Sequence, residues 1–302
     1  MLDILTRAGC YVAIIILGII LRKTGFFKEG TFEVLSKIVI RITLPAAIVY
    51  TSSGKPLDGT LLTISLLSVL AGGGYMLLGY LTSLRQSKEK KAFAVLNAPG
   101  YNIGTFALPV TQSFLGPMGV VATNLFDVGN SFICLGGAYA VASAVKEGKG
   151  FSVVRVLTAP LKSIPFVTHL VMVFLNLNGW NLPKPVISFA EVLGNANAFL
   201  AMLMIGVGFR LSGDRSQIGA IAKILLVRYG FAAVVALCFY FLLPFDLEIR
   251  RALVLLAFSP IGSAVPVFTA QLKGDVGLSS AINSISIVCS IAIMVTLLTV
   301  LF

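Results

Sequence analysis

Two stretches decide the fold: Asn97-Ala98-Pro99-Gly100-Tyr101-Asn102-Ile103-Gly104-Thr105-Phe106-Ala107-Leu108-Pro109, and Ser259-Pro260-Ile261-Gly262-Ser263-Ala264-Val265-Pro266. Each lies midway along an apolar run long enough to cross a bilayer. Proline lacks an amide hydrogen and clashes with the preceding turn. Glycine loosens the backbone. Both runs should therefore unwind near their centres. Unpaired backbone groups cannot face lipid and survive only inside protein or beside a watery cavity. Interrupted helices at matching places in two halves of a chain point to a binding site. Their exposed N-terminal ends carry positive dipole and favour an anion. The plainer reading is a pair of proline kinks that only improve packing, since Pro and Gly are common in membrane helices.

The rest of the chain fixes the solvent. Of 302 residues, 57% are hydrophobic and 12% charged. A soluble domain carries roughly 25% charged residues. Half that figure leaves too little polar surface for a water-facing shell, so the apolar residues face lipid. The net charge of +11 does not call for nucleic acid, because Lys and Arg collect in the cytoplasmic loops of membrane proteins. Cys10, Cys134, Cys238 and Cys289 all lie in apolar runs, with no spacing for a metal clip or redox pair. No cofactor is expected.

A spanning helix takes about 20 apolar residues. Ten candidate helices follow: Ile4–Leu21, Phe32–Thr51, Gly59–Leu84, Ala92–Leu115, Gly119–Val145, Val153–Leu175, Pro185–Leu211, Gln217–Leu243, Ile249–Leu272 and Gly277–Phe302. The first lacks a clear cleavage site and reads as a retained helix. Residues 1–302 are then one membrane domain. Arg22, Lys23, Lys28, Arg85, Lys88, Lys90, Lys91, Lys146, Lys149, Arg155, Arg210, Arg215 and Lys273 fall on one side. Only Arg7, Lys55, Lys184, Arg250 and Arg251 fall on the other. The richer side marks the cytoplasm, so both termini are expected outside a plasma membrane.

The chain also repeats itself. Lys91-Ala-Phe-Ala-Val-Leu matches Arg251-Ala-Leu-Val-Leu-Leu. Gly104-Thr-Phe-Ala-Leu-Pro109 matches Gly262-Ser-Ala-Val-Pro266. Gly116-Pro-Met-Gly119 matches Gly274-Asp-Val-Gly277. The order is kept at nearly constant offset. Residues 1–147 and 150–302 then hold five helices each, and an odd number inserts the second half upside down. The expected fold class is an all-α integral membrane protein of two inverted five-helix repeats, with helices four and nine broken.

Polar residues within spans supply the candidate site. Asn102, Gly104, Thr105 and Pro109 in the first half, and Ser263 and Pro266 in the second, line the breaks. Arg41 lies deep and could pair with a substrate carboxylate, or with backbone carbonyls or lipid phosphate. Lys37, one turn earlier, should snorkel to the cytoplasmic surface. Asp127, with Asn124 and Asn130 on one helix face, is a candidate for a coupling proton or sodium; Asn283 and Ser284 stand in the related stretch of the other half. A structural hydrogen bond between helices is the alternative. Glu191, with Asn195 and Asn197 after it, lines an outer vestibule or is simply solvated at the interface. Lys162, Lys223 and Arg228 lie near cytoplasmic loops and are expected to snorkel. His169, the single histidine, has no partner for a zinc site and is expected at the interface or packed. Catalytic motifs are not visible, and no enzyme is expected.

Together these residues resemble the auxin efflux carrier family, which includes plant PIN proteins and bacterial malate permease-like proteins. Leu17-Gly-Ile-Ile-Leu-Arg-Lys-Thr-Gly-Phe-Phe27, Leu35-Ser-Lys-Ile-Val and Leu44-Pro45 look like its first two helices. Asn102 and Pro109 match its fourth, and Ser259-Pro260 through Pro266, then Asn283, its ninth and tenth. The resemblance implies the frame of bile-acid symporters and NhaA-like antiporters, with helices four and nine crossing. Helices one, two, six and seven would form a scaffold that can dimerise, and the others a transport domain. Passengers would be carboxylates such as malate, malonate or an auxin. Ile261 stands where some relatives carry a polar residue, and the long cytoplasmic loop of many plant members is lacking. The expectation is a permease, a secondary transporter of a small organic anion working by alternating access, coupled to a proton or sodium. Its rivals are a cation/proton antiporter of the same architecture and a non-transporting membrane receptor.

Overall fold

The computed structural model describes residues 2–55, 57–148, 150, 152–210 and 215–301. Lys149, Leu211 and Phe302, named above, lie outside these. The described residues form helices and connecting turns, with no strand among them.

The first run is one helix, α1 (Leu2–Lys23). The second is α2 (Thr31–Ile38) and α3 (Leu44–Ser52), joined by a wide π-turn at Val39–Thr43. Pro45 explains the turn: it cannot bond back to Arg41, and its ring pushes that carbonyl away. Next comes α4 (Thr63–Leu81), entered through a tight turn whose start Asp58 caps by accepting the Thr60 N–H at 3.1 Å. The fourth run is split into α5 (Lys88–Asn97) and α6 (Leu108–Phe114). The fifth contains α7 (Pro117–Phe132) and α8 (Ala138–Glu147), continuous through a π-turn at Ile133–Gly137.

The sixth run departs from expectation. Instead of one span it forms α9 (Val153–Thr158) and α10 (Ile164–Leu177), which meet at 88°. Pro160 and Pro165 bracket the corner and deny it two ladder bonds. Beyond it lie α11 (Lys184–Gly208) and α12 (Ile218–Phe241). The ninth run is split into α13 (Leu247–Ala257) and α14 (Val265–Gln271), and α15 (Val276–Leu301) ends the described chain.

Among the described residues six helices are long and apolar enough to cross a membrane, or seven if the bent pair counts as one span. The interrupted second, fourth and ninth runs fall outside that set because no single helix in them is long enough.

The helices pack in two groups. In one, α1 lies against α11, α11 against α3, and α3 against α10. A Cβ at Gly206 would overlap the Ile15 carbonyl, so α1 and α11 touch backbone to backbone. In the other, α4 packs on α7 and α5, α5 on α8, α13 on α7 and α12, and α15 on α14 and α12. The groups meet where α7 touches α3 and α10, and where α11 touches residues 103–107. Residues 103–107 of the first broken run thus face this seam.

A crossing of two broken helices

α5 stops at Asn97 because Ala98 precedes proline and Gly100 takes φ +80°, a left-handed turn that favours glycine. A Cβ there would also stand 2.6 Å from Cys134 Sγ. The chain runs unwound to Asn102, then re-forms as a π-turn at Ile103–Ala107 leading into α6. In the other half α13 ends at Ala257, residues 258–264 are unwound through Pro260, and α14 starts with Pro266 in its first turn. The two breaks touch: the Asn102 N–H donates to the Pro260 carbonyl at 2.8 Å.

Backbone groups freed by a break must find partners, and each half solves this with the following helix. Asn130 on α7 accepts the Tyr101 N–H at 2.9 Å and donates to the Tyr101 carbonyl at 2.8 Å. On α15, Ser286 accepts the Ile261 N–H at 3.1 Å, and Asn283 donates to the Ile261 carbonyl at 2.9 Å. A polar triangle adds a second tie between the halves. Asn97 donates to Thr269 at 3.3 Å, Thr269 to Ser279 at 3.1 Å, and Ser279 to Asn97 at 2.6 Å.

The charge at the crossing is Arg228, and this corrects the expectation that it snorkels. It is fully buried on α12. One terminal nitrogen donates to the Ala98 carbonyl and the other to the Ser259 carbonyl, each at 2.7 Å. Its guanidinium stacks between the rings of Tyr75 and Tyr101, with centroids 5.2 and 5.3 Å away. Both carbonyls belong to the C-terminal ends of broken half-helices, which carry about half a negative charge each. A guanidinium fork is the side chain that can satisfy both at once. Depth was the available signal. Ten residues into α12 lies about 15 Å from its start at 1.5 Å per residue, too far to snorkel. Lys223 and Lys162 are exposed as expected, and Lys223 bonds the Thr82 carbonyl at 2.6 Å.

The expected site residues are only partly brought together. Asn102 and Thr105 are buried side by side, the Thr105 hydroxyl donating to Asn102 Oδ1. Asn102 Nδ2 is buried without a partner, as is Arg228 Nε. Gly104 lies under Leu44 of α3, where a Cβ would meet that side chain at 2.6 Å. Pro109 lines a cavity of about 610 Å³ shared with Tyr11, Lys55, Gln112, Ser113 and Asn195. Ser263, by contrast, is exposed, and Pro266 is half-buried. Arg41 is exposed on its π-turn, and none of the crossing's hydrogen bonds uses it.

The expected ion-coupling set is divided. Asn130 and Asn283 hold the breaks. Asn124 donates to Thr51 at 3.1 Å and Ser52 at 3.0 Å, tying α7 to α3. Asp127 faces His169 of α10, with 3.4 Å between Oδ2 and Nε2. Among the described residues no group of three or more His, Cys, Asp or Glu could hold a metal ion.

Residues 11–150 match the family model described as membrane transport protein. The match bears out the resemblance to auxin efflux carriers, and with it the class of multi-pass membrane transporter. It covers the first broken run, the Asn130 clamp and Asp127. No curated protein matches the chain.

Proposed function

We propose that the chain is a secondary transporter of a small organic anion, with its passenger held at the crossing. The observation that carries this is the pair of unpaired buried donors there, Asn102 Nδ2 and Arg228 Nε. A buried donor without a partner is costly, and an anionic acceptor beside Asn102 would remove that cost there. Arg228 offsets the two C-terminal ends of α5 and α13. The N-terminal ends that follow the two breaks keep their positive dipole, which prefers a negative ligand. A carboxylate such as malate, malonate or an auxin-like acid fits that demand. Arg228, rather than Arg41, supplies the positive charge.

The same reading takes the chain as ten spans in two inverted repeats, 1–147 and 150–302. The α1, α2–α3, α10 and α11 group serves as scaffold, open to homodimer formation through its lipid-facing side. The second group moves against it, by an elevator or rocking step, with both termini outside the plasma membrane. The 610 Å³ cavity at the seam is the outer approach and Leu44 the cover over the crossing. A cation/proton antiporter on this frame would need an acid at the crossing, where Arg228 stands instead.

The test is uptake of radiolabelled malate by proteoliposomes. Asn102→Ala and Pro109→Ala should both lower it. If neither does, the crossing is not the site. Malate binding with no flux would make the chain a receptor.

A further inference from the structure

We propose that Asp127 and His169 form the proton site that drives this transport, with Asn130 linking it to the crossing. The proposal rests on the transporter reading above and adds the identity of the coupling ion.

Asp127 lies mid-way along α7, and His169 is the chain's single histidine. Both side chains are largely out of solvent, 13% and 3% exposed. His169 Nε2 stands 3.4 Å from Asp127 Oδ2 and makes no hydrogen bond of its own. The two residues come from opposite packing groups, so any sliding of α7 past α10 must part them.

Asn130 connects the pair to the break. Its single amide nitrogen donates to Asp127 Oδ1 at 3.0 Å and to the Tyr101 carbonyl at 2.8 Å. Tyr101 directly precedes Asn102. A change in the acceptor strength of Asp127 therefore reaches the unwound backbone through one side chain.

Access comes from the other direction. A cavity of about 10 Å³ beside His169 is lined by Ser52, Asn124, Met172 and Asn176. That is room for about one water, and Asn124 Oδ1 is unpaired there. Asn124 also bonds Thr51, a wall of the outer cavity. The other titratable or charged groups on this side are Cys134 further along the same helix, Tyr101 on the broken run, Tyr75 on α4 and Arg228 on α12. The α3 side presents the hydroxyls of Thr51 and Ser52, and α10 presents Asn176.

The step balances as follows. A proton arriving through the cavity makes imidazolium at His169, which pairs with the Asp127 carboxylate. The N–H bond then breaks, an O–H bond forms on Asp127, and the imidazole is left neutral. The ion pair across the seam is gone, and α7 moves carrying the proton as a neutral carboxyl. A neutral acid costs less to carry through a membrane interior than a carboxylate.

Two measurements test this. In proteoliposomes a pH gradient should drive malate accumulation in the native protein. In Asp127→Asn and His169→Gln the ratio of gradient-driven to downhill uptake should fall at least tenfold. A ratio that survives in both variants overturns the proposal. The second measurement needs no passenger. With isotope-labelled histidine and a tag free of histidine, the ring-nitrogen resonances report on His169 alone. They should change protonation pattern between mildly alkaline and mildly acidic buffer, and should move on Asp127→Asn. Resonances insensitive to both changes refute the proton site. If native protein moves no malate while the resonances respond, the passenger is wrong and the proton site stands.

Discussion

Arg228 donates to the Ser259 carbonyl at 2.7 Å, and its second terminal nitrogen reaches Ala98 at the same distance. One side chain thus bonds both broken runs, and a buried charge carried by the second half of the chain is shared with the first.

Removing that charge should be costly. Arg228→Met strands two buried carbonyls, at about 1–3 kcal/mol each. The melting temperature in detergent should fall clearly, and malate uptake should be lost. Arg228→Lys keeps the charge but cannot fork to both carbonyls or stack between two rings. It should fall between native protein and Arg228→Met in both readouts.

Asn102 separates binding from folding. Its Nδ2 has no protein partner, so within the fold Asn102→Ala gives up only the side-chain hydrogen bond that Asn102 Oδ1 accepts from Thr105. A hydrogen bond to a charged group is worth about 1.5–3 kcal/mol, roughly a 10–100-fold loss of affinity at 1.4 kcal/mol per tenfold. The KM for malate should rise by that factor with a small change in melting temperature. Asn102→Asp places a like charge beside the passenger and should abolish uptake.

Helix contact on the α4–α7 face can be probed by a matched pair. A Cβ at Gly129 would overlap the Ser65 carbonyl, whereas nothing lies within 4 Å of one at Gly73. Gly129→Ala should destabilise by about 1–3 kcal/mol through overpacking. Gly73→Ala sits inside α4 and should be neutral, or stabilise by about 0.5–1 kcal/mol through lower chain entropy. Thermal melting of the two variants reads both effects.

Orientation is open to a labelling test. In a background without the native cysteines, Lys55→Cys should react with an impermeant thiol reagent added outside intact cells. Lys273→Cys should react only after the membrane is opened. The reverse pattern would invert the assignment made from the basic loops. Ser263→Cys should label far faster than Thr105→Cys, since Ser263 is exposed and Thr105 is buried.

The sequence determined the features that arise locally. Pro99, Gly100, Pro260 and Pro266 break their helices wherever they lie, because a missing amide hydrogen and a left-handed φ act on the adjoining turn. Low charge and long apolar runs likewise fixed lipid as the solvent. The corner at Pro160 and Pro165 belongs to the same local class, yet apolar length masked it. The tertiary structure decided which faces meet. Arg228 and Lys223 are five residues apart on one helix, and only packing makes the first a bridge and the second a surface group. Asp127 and His169 are likewise paired by the seam between α7 and α10. Ser263 on its unwound stretch and Arg41 on its π-turn have the right chemistry for a site, but both face outward. Burial and pairing depend on the rotation of each helix against its neighbours, which no local pattern in the chain encodes.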